Sequence, residues 1–378
     1  MGQNDFSGQF QIPQKLYGRE SEIITLLEAF DRVSSGKAEA IIVAGYSGIG
    51  KTVLVHEVHK PMTEKHGYFI AGKFDQFKQN IPYYAITQAF NEFCRSLLKE
   101  SSETLQNWKS KILDAVGNNG QVIIDVIPDL ELVIGAQPAV AEVGPTEAQN
   151  RFNLYFLNFF KALCDKDHPL IIFLDDLQWA DLPTLNLVNL MMTDSDTQFL
   201  LFIGAYRDNE ISDVHPLPRI LDNIQKQTPL TNIILPPLGF SHVNNLISDS
   251  TISSLGKSKS LAKVVYEKTG GNPFFVNMFL KTIAGKKLVA FDFNQGEWTW
   301  DVQLIRSLDI TNNVVDMMVD RISQLPAETR KILSLAACLG SRFNLRILSL
   351  VYGHSGSVVF DELWKAVLDG LIIPIEDD

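Results

Sequence analysis

The sequence predicts an α/β chain: a parallel sheet flanked by helices, followed by a mainly helical C-terminal part. Three observations carry this. Short uninterrupted apolar runs recur as far as Leu235. Amphipathic helical stretches separate them, which is the pattern of parallel strands joined by crossover helices. Beyond Pro236-Pro237 the runs stop and helical periodicity takes over.

Residues 1–16 are polar, carry Pro13 and show no period, and read as a linker. From Arg19 onward Ile23, Leu26, Leu27, Phe30 and Val33 share one helix face, and Ser34-Ser35-Gly36 ends it. The first strand is Ala40–Ala44, without a polar residue, as suits a strand covered on both faces. Further strands are expected at Tyr68–Ala71, Leu170–Leu174, Phe199–Gly204 and Asn232–Leu235. Thr146 with Gln149 predicts a capping box ahead of Phe152, Tyr155, Phe156 and Phe159. The stretch from Gly120 to Pro145, broken by Pro128 and Pro138, reads as a helix and a loop insertion. Three short helices are expected from Ser241 to about Ala284, and further helices from Ile310, with faces at Met317, Met318, Ile322 and at Ile332, Leu333, Ala336. Leu371-Ile372-Ile373 reads as a terminal strand without a partner, which predicts truncation.

The 378 residues allow two or three domains at roughly 150 residues each. With 46% hydrophobic and 20% charged residues, disorder is excluded. Lys plus Arg number 33 against 44 acids, a net charge of −11 that argues against unspecific binding to nucleic acid or an anionic membrane. The N-terminus lacks the basic and apolar regions of a signal peptide, and no apolar run is long enough to span a bilayer. A soluble, cytoplasmic chain is expected. Cys94, Cys164 and Cys338 show no metal spacing and are expected to be buried free thiols.

The strongest chemical signal is Gly45-Tyr46-Ser47-Gly48-Ile49-Gly50-Lys51-Thr52, a GxxxxGK[ST] pattern between an expected strand and an expected helix. Chance gives this pattern in roughly one chain in a hundred of this length. The glycines let backbone N–H groups of Gly45, Ser47, Gly48, Ile49 and Gly50 form an anion-binding nest, and the helix entered at Val53 adds its positive end. Lys51 is expected to reach β and γ phosphates and the Thr52 hydroxyl to ligate Mg²⁺. The run Leu170–Leu174 ends in Asp175-Asp176. Asp175 is assigned to the Mg²⁺ shell and Asp176 to the attacking water, against the plainer reading of acids that cap a following helix. Arg207, at the end of the fourth run, either senses the γ-phosphate or makes an ordinary ion pair with Asp175, Asp181 or Asp208. Gly270-Gly271-Asn272-Pro273 by itself reads as a helix stop and a helix start.

Taken together, Leu16-Tyr17-Gly18-Arg19-Glu20, the loop at 45–52, Asp175-Asp176-Leu177-Gln178-Trp179-Ala180-Asp181, Arg207 and Gly271-Asn272-Pro273 resemble the STAND branch of AAA+-related P-loop NTPases. The resemblance covers nearly the whole chain. It points to ATPase modules of large bacterial signalling proteins that combine serine/threonine kinase, GAF and histidine-kinase domains. It implies that Tyr17, Gly18 and Arg19 lie against adenine and ribose, and that Pro273 closes over the base. It implies a P-loop domain at 17–238, a helical lid at 239–309 and a winged-helix-like domain at 310–378 that stops inside its wing. Asp176 stands where many AAA+ enzymes have Glu, one methylene longer, which implies slow hydrolysis. Kinase motifs are missing from the sequence.

The expected function is therefore an ATP/ADP- and Mg²⁺-dependent switch module that acts on other domains of a parent signalling protein and self-associates with ATP. Two alternatives stand beside it. One is a non-catalytic module cemented by nucleotide; the other is a ring-forming remodelling ATPase, for which Arg219 is the candidate trans-acting arginine. DNA binding through residues 310–378 is disfavoured because acids are interspersed with Arg321, Arg330, Lys331, Arg342 and Arg346.

Overall fold

The computed structural model describes residues 10–64, 67–212, 214–307, 319, 322–323, 325–340, 343–368, 371–372 and 374. Elements follow in the order α1 (Glu20–Ser34), β1 (Ala38–Ala44), α2 (Lys51–Glu64), β2 (Tyr68–Lys73), α3 (Tyr84–Leu97), α4 (Ser102–Val116), α5 (Gly120–Ile124), α6 (Leu130–Ile134) and α7 (Pro145–Leu163). Next come β3 (Leu170–Asp175), α8 (Leu182–Thr193), β4 (Leu200–Tyr206), α9 (Pro216–Gln225) and β5 (Leu230–Ile234).

These five strands form one parallel sheet in the order β2-β3-β4-β1-β5. Side chains alternate between its faces. Ile42, Ile172 and Phe202 join one apolar cluster with Phe90, Phe156 and Phe159 from α3 and α7. Ile41, Phe173 and Ile203 join another with Phe30 and Val55 from α1 and α2. In β1, β3 and β4 covering both faces excludes water from the ladder, so continuous apolar runs are required there, and these are runs the sequence displays. The register pairs Ala44 with Tyr206 and Lys73 with Asp175, so the carboxyl ends of β1, β2, β3 and β4 open on one edge. Because β4 lies between β1 and β3, the chain after β1 and the chain after β3 face each other across a crevice, the place where open α/β sheets bind ligands.

Beyond the sheet, α10 (Phe240–Ser250), α11 (Leu255–Thr269) and α12 (Pro273–Gly285) pack around Val243, Leu261, Val265, Phe279 and Leu280. Thr269 ends α11, Gly270 at φ 59° is its left-handed cap, Asn272 caps α12 and Pro273 opens it. A hairpin of β6 (Val289–Asp292) and β7 (Glu297–Trp300) follows, then α13 (Val302–Ser307). Finally α14 (Ala327–Leu339), α15 (Leu345–Tyr352) and α16 (Gly356–Leu368) surround Ile332, Ala336, Leu348, Val359 and Leu363.

Several expectations are corrected. Strands do not end at Pro236: the β6–β7 hairpin was missed, although Phe291 and Trp298 with a turn closed by Gly296 carry its signal. The capping box at Thr146 is absent. Helix α7 begins at Pro145, whose missing N–H costs nothing at the first turn, and Gln149 instead donates to the Tyr83 hydroxyl at 2.7 Å. The helix expected after Gly120 is two single turns, α5 and α6, separated around Pro128. The three thiols are free, but only Cys94 is buried; Cys164 is half-buried and Cys338 exposed. Leu371 and Ile372 form a bend rather than a strand. Ile310, Met317, Met318, Arg321, Arg342 and Ile373 lie outside the described residues. Among those described, no helix is long and apolar enough to cross a membrane.

Close approach of α3 to β2 depends on Gly72, where a methyl group would overlap the Ala85 carbonyl. Gly72→Ala is expected to destabilise the protein by about 1–3 kcal/mol through overpacking, read as a lower denaturant midpoint.

Candidate nucleotide-binding site

The loop from Gly45 to Gly50 leaves β1 and enters α2. Gly45, Gly48 and Gly50 have φ of 150°, 74° and 99°, backbone states that side chains disfavour. At Gly45 a Cβ would also stand 3.0 Å from the Leu235 carbonyl. Lys51 is buried, and its ammonium donates to the carbonyls of Gly45 at 2.6 Å and Tyr46 at 3.1 Å. Burial pulls this ammonium below its ordinary range, against the opposing attraction of Asp175 and Asp176. A desolvated cation held only by neutral carbonyls gains from an anionic oxygen, because charge-assisted bonds are roughly twice as strong.

Across the crevice the Thr52 hydroxyl donates to Asp175 Oδ2 at 2.7 Å, while Asp175 Oδ1 accepts the Asp176 N–H at 2.9 Å. These hard oxygens suit Mg²⁺. Among the described residues no three His, Cys, Asp or Glu side chains gather as a cation cage, so Thr52 and Asp175 would hold Mg²⁺ only together with phosphate oxygens and water. The plainer reading of the two acids as helix caps does not apply: Asp181 caps α8 and accepts the Thr184 N–H at 2.8 Å.

Asp176 is buried in the left-handed region, φ 59° and ψ 45°, where Asp is tolerated better than most residues. Its Oδ1 accepts from Gln178 Nε2 at 2.9 Å and lies 3.4 Å from Arg207 Nε. Arg207 also pairs with Glu210 at 2.7 Å and stacks 4.8 Å above the Trp179 ring. Its ion pairs are thus with Asp176 and Glu210, not with the expected Asp175, Asp181 or Asp208. Gln178 ties the group together, because its Oε1 accepts the Arg207 N–H at 3.1 Å.

Sequence reading missed Lys73. At the end of β2 its ammonium lies 3.0 Å from Asp176 Oδ2 and 3.6 Å from Asp175 Oδ2. Burial would lower this ammonium, but the attraction of both carboxylates outweighs it and the net shift is upward. The available signal was register: the expected β2 stopped at Ala71, two residues short of the position level with Asp175. Gln178 had no comparable signal.

Beside the loop, a cavity of about 540 Å³ runs between α2 and helices α10 and α12. Tyr17, Arg19, Ile49, Gly50, Val53 and Pro273 line it. Gly18 is not in the wall; it turns at φ 61° against the His242 ring. The Tyr17 hydroxyl donates to Asp249 of α10 at 2.8 Å, and burial reinforced by that bond pushes the phenol above its ordinary range. Arg19 is buried and donates to the Pro236 carbonyl at 2.6 Å. Asn277, one turn along α12 from Pro273, also lines the cavity, and its Oδ1 is shut off from solvent without a hydrogen-bond partner. An apolar cleft with a few polar groups, continuous with a phosphate-type loop, fits a nucleoside polyphosphate.

Sheet, loop and paired acids define a P-loop NTPase fold. The model of the AAA ATPase domain matches residues 15–203, half of the chain, and the chain belongs to that family. It is 31% identical over 414 aligned residues to hybrid signal transduction histidine kinase G of Dictyostelium discoideum, and 21% identical over 394 to the peroxide stress-activated histidine kinase mak3 of Schizosaccharomyces pombe. Each alignment covers 93% of this chain but only 12% and 17% of those relatives. Among solved structures, Cdc6p from Pyrobaculum aerophilum aligns with a TM-score of 0.45 at 12% identity, covering 97% of this chain and 90% of that one.

Lys73 opposes the charge that a divalent cation would neutralise. Lys73→Met is therefore expected to lower, severalfold, the Mg²⁺ concentration needed for half-maximal ATP binding, measured by fluorescence titration at fixed ionic strength. An unchanged or higher requirement removes Lys73 from that role.

Proposed function

We propose that this chain is an ATP-binding, slowly hydrolysing switch module of a multidomain signalling protein in the cytoplasm. The observation that carries the reading is the 2.7 Å bond from Thr52, at the end of the phosphate-type loop, to Asp175 at the end of β3. It sets the end of the phosphate-type loop beside the acid at the end of β3, which supports an ATPase reading. The family match supports nucleotide chemistry, and the histidine-kinase relatives support a signalling parent.

In this reading ATP lays its phosphates along Gly45–Val53 and its base in the cavity beside Tyr17, Gly18, Arg19 and Pro273. Lys51 exchanges its two loop carbonyls for β- and γ-phosphate oxygens. Mg²⁺, when bound at Thr52 and Asp175, would neutralise charge on those phosphates. Asp176 orients and deprotonates the attacking water, and Arg207 leaves its carboxylate partners for the γ-phosphate. Asp176 is shorter than Glu and engaged by Gln178, Arg207 and Lys73, both of which favour a slow reaction. Exchange of ATP for ADP would change the lid's contacts with the loop, a STAND-type switch that bears on other domains of the parent protein and on self-association.

The same engagement of Asp176 favours, as a second reading, a non-catalytic module for which nucleotide is a structural element. Single-turnover hydrolysis of labelled ATP separates them.

Lys51→Ala is expected to abolish tight nucleotide binding by isothermal titration; undiminished affinity would end the proposal. Asp176→Asn is expected to keep ATP bound while phosphate release stops. Continued turnover in a phosphate assay would take Asp176 out of the reaction.

A further inference from the structure

Helix α12 is fastened to the phosphate-type loop through one side chain. Asn272 Oδ1 accepts the Phe274 N–H at 3.1 Å, capping the helix, while its Nδ2 donates to the Ser47 carbonyl at 3.0 Å. The Phe274 N–H is also 3.2 Å from the Gly48 carbonyl. Contact is close enough that a Cβ on Gly48 would stand 2.8 Å from Phe274 Cβ and 3.1 Å from Asn272 Oδ1. Gly48 is thus required twice, for its φ of 74° and for room under the lid. Neither the capping role of Asn272 nor the pattern of the loop announces this connection.

Its consequence lies in the peptide plane. A trans peptide sets its C=O and N–H on opposite sides. Holding the Ser47 and Gly48 carbonyls toward the lid therefore turns the Gly48 and Ile49 amides away from it. The Ile49 N–H meets only the Tyr46 carbonyl there, at 3.4 Å, so a better acceptor can displace that contact. Amides aligned before a ligand arrives bind an anion without the entropy cost of ordering the loop.

We infer that Asn272 is a positioning residue, which sets the loop amides for phosphate from the lid and in turn lets the occupied loop hold the lid. This rests on the nucleotide-binding reading above. Linkage makes the effect reciprocal: what the lid adds to phosphate binding, phosphate adds to lid docking. Asn272 touches no substrate in this scheme and acts through the Ser47 carbonyl.

The test is Asn272→Ser in the full chain, because Ser caps a helix about as well as Asn but is too short to bridge to the loop. Two readouts are taken: hydrogen exchange over residues 47–50 without nucleotide, and release of a fluorescent ADP analogue. Expected are severalfold faster exchange and about five- to tenfold faster release, the change one neutral hydrogen bond brings. Unchanged exchange at 47–50 with unchanged release overturns the inference. Should Ser weaken the fold itself, seen as a lower melting temperature, Asn272→Asp keeps the cap and sets an acceptor against the Ser47 carbonyl, with the same two expectations. If the wild-type chain binds no ADP, the nucleotide reading fails while the exchange arm still decides whether the clasp orders the loop.

Discussion

Everything at the open edge of the sheet depends on placing two buried carboxylates with one ammonium and one guanidinium in one crevice. Asp175 and Asp176 are buried side by side, and like charges so close destabilise each other unless cations and donors answer them. The structure supplies those answers from four different elements. Thr52 comes from α2, Lys73 from β2, Gln178 from the turn after β3, and Arg207 from the end of β4. Removing any one leaves a buried charge underpaired, which costs more than the pair itself contributes. This is why the sheet order matters: only with β3 between β2 and β4, and β1 beyond β4, do these groups converge.

Under the proposed function that network is also where the chemistry would arise. A carboxylate that activates water must be free to accept a proton, yet Asp176 is committed to three partners. In the proposed reaction its release would depend on Lys73 and Arg207 finding other anions, and phosphate oxygens are the anions an Arg fork fits best. Lys51 presents the complementary case, a buried cation lent to its own loop's carbonyls. Under the proposed function Lys51 and Arg207 are each held by a substitute for the phosphate oxygens that a bound polyphosphate would supply. Such a site would be balanced without ligand and would rearrange with one, as a switch requires.

Helix α10 is tied to the segment before α1, as α12 is tied to the loop. Tyr17 reaches Asp249 of α10, Lys15 pairs with the same carboxylate at 2.6 Å, and Arg19 holds the Pro236 carbonyl between sheet and lid. The Leu238 N–H bonds the Gly271 carbonyl at 2.8 Å, where a side chain on Gly271 would overlap the Leu238 carbonyl. The segment before α1 and the turn before α12 thus form two faces of the cavity, although some 250 residues of sequence lie between them.

The central strands β1, β3 and β4 were legible in the sequence because strands buried on both faces must be apolar throughout, whereas β2 and β5, at the two edges and less covered, showed only in part and with displaced ends. The loop was legible because three glycines, a lysine and a threonine at fixed spacing answer a local requirement of backbone shape and charge. Lys73, Gln178 and the bond from Asn272 to Ser47 were not, since each is an ordinary polar residue whose partner lies on another element. The β6–β7 hairpin was overlooked for a different reason: its strands are four residues each, too short for alternation to stand out. What residue order determines by itself is each element and the loop's capacity for an anion, through forces that act over a few neighbouring residues. Which cation faces which carboxylate, and that Asn272 at the start of α12 bonds the Ser47 carbonyl, was decided only by the tertiary structure, because electrostatic and hydrogen-bond pairing depends on distances that chain spacing does not encode.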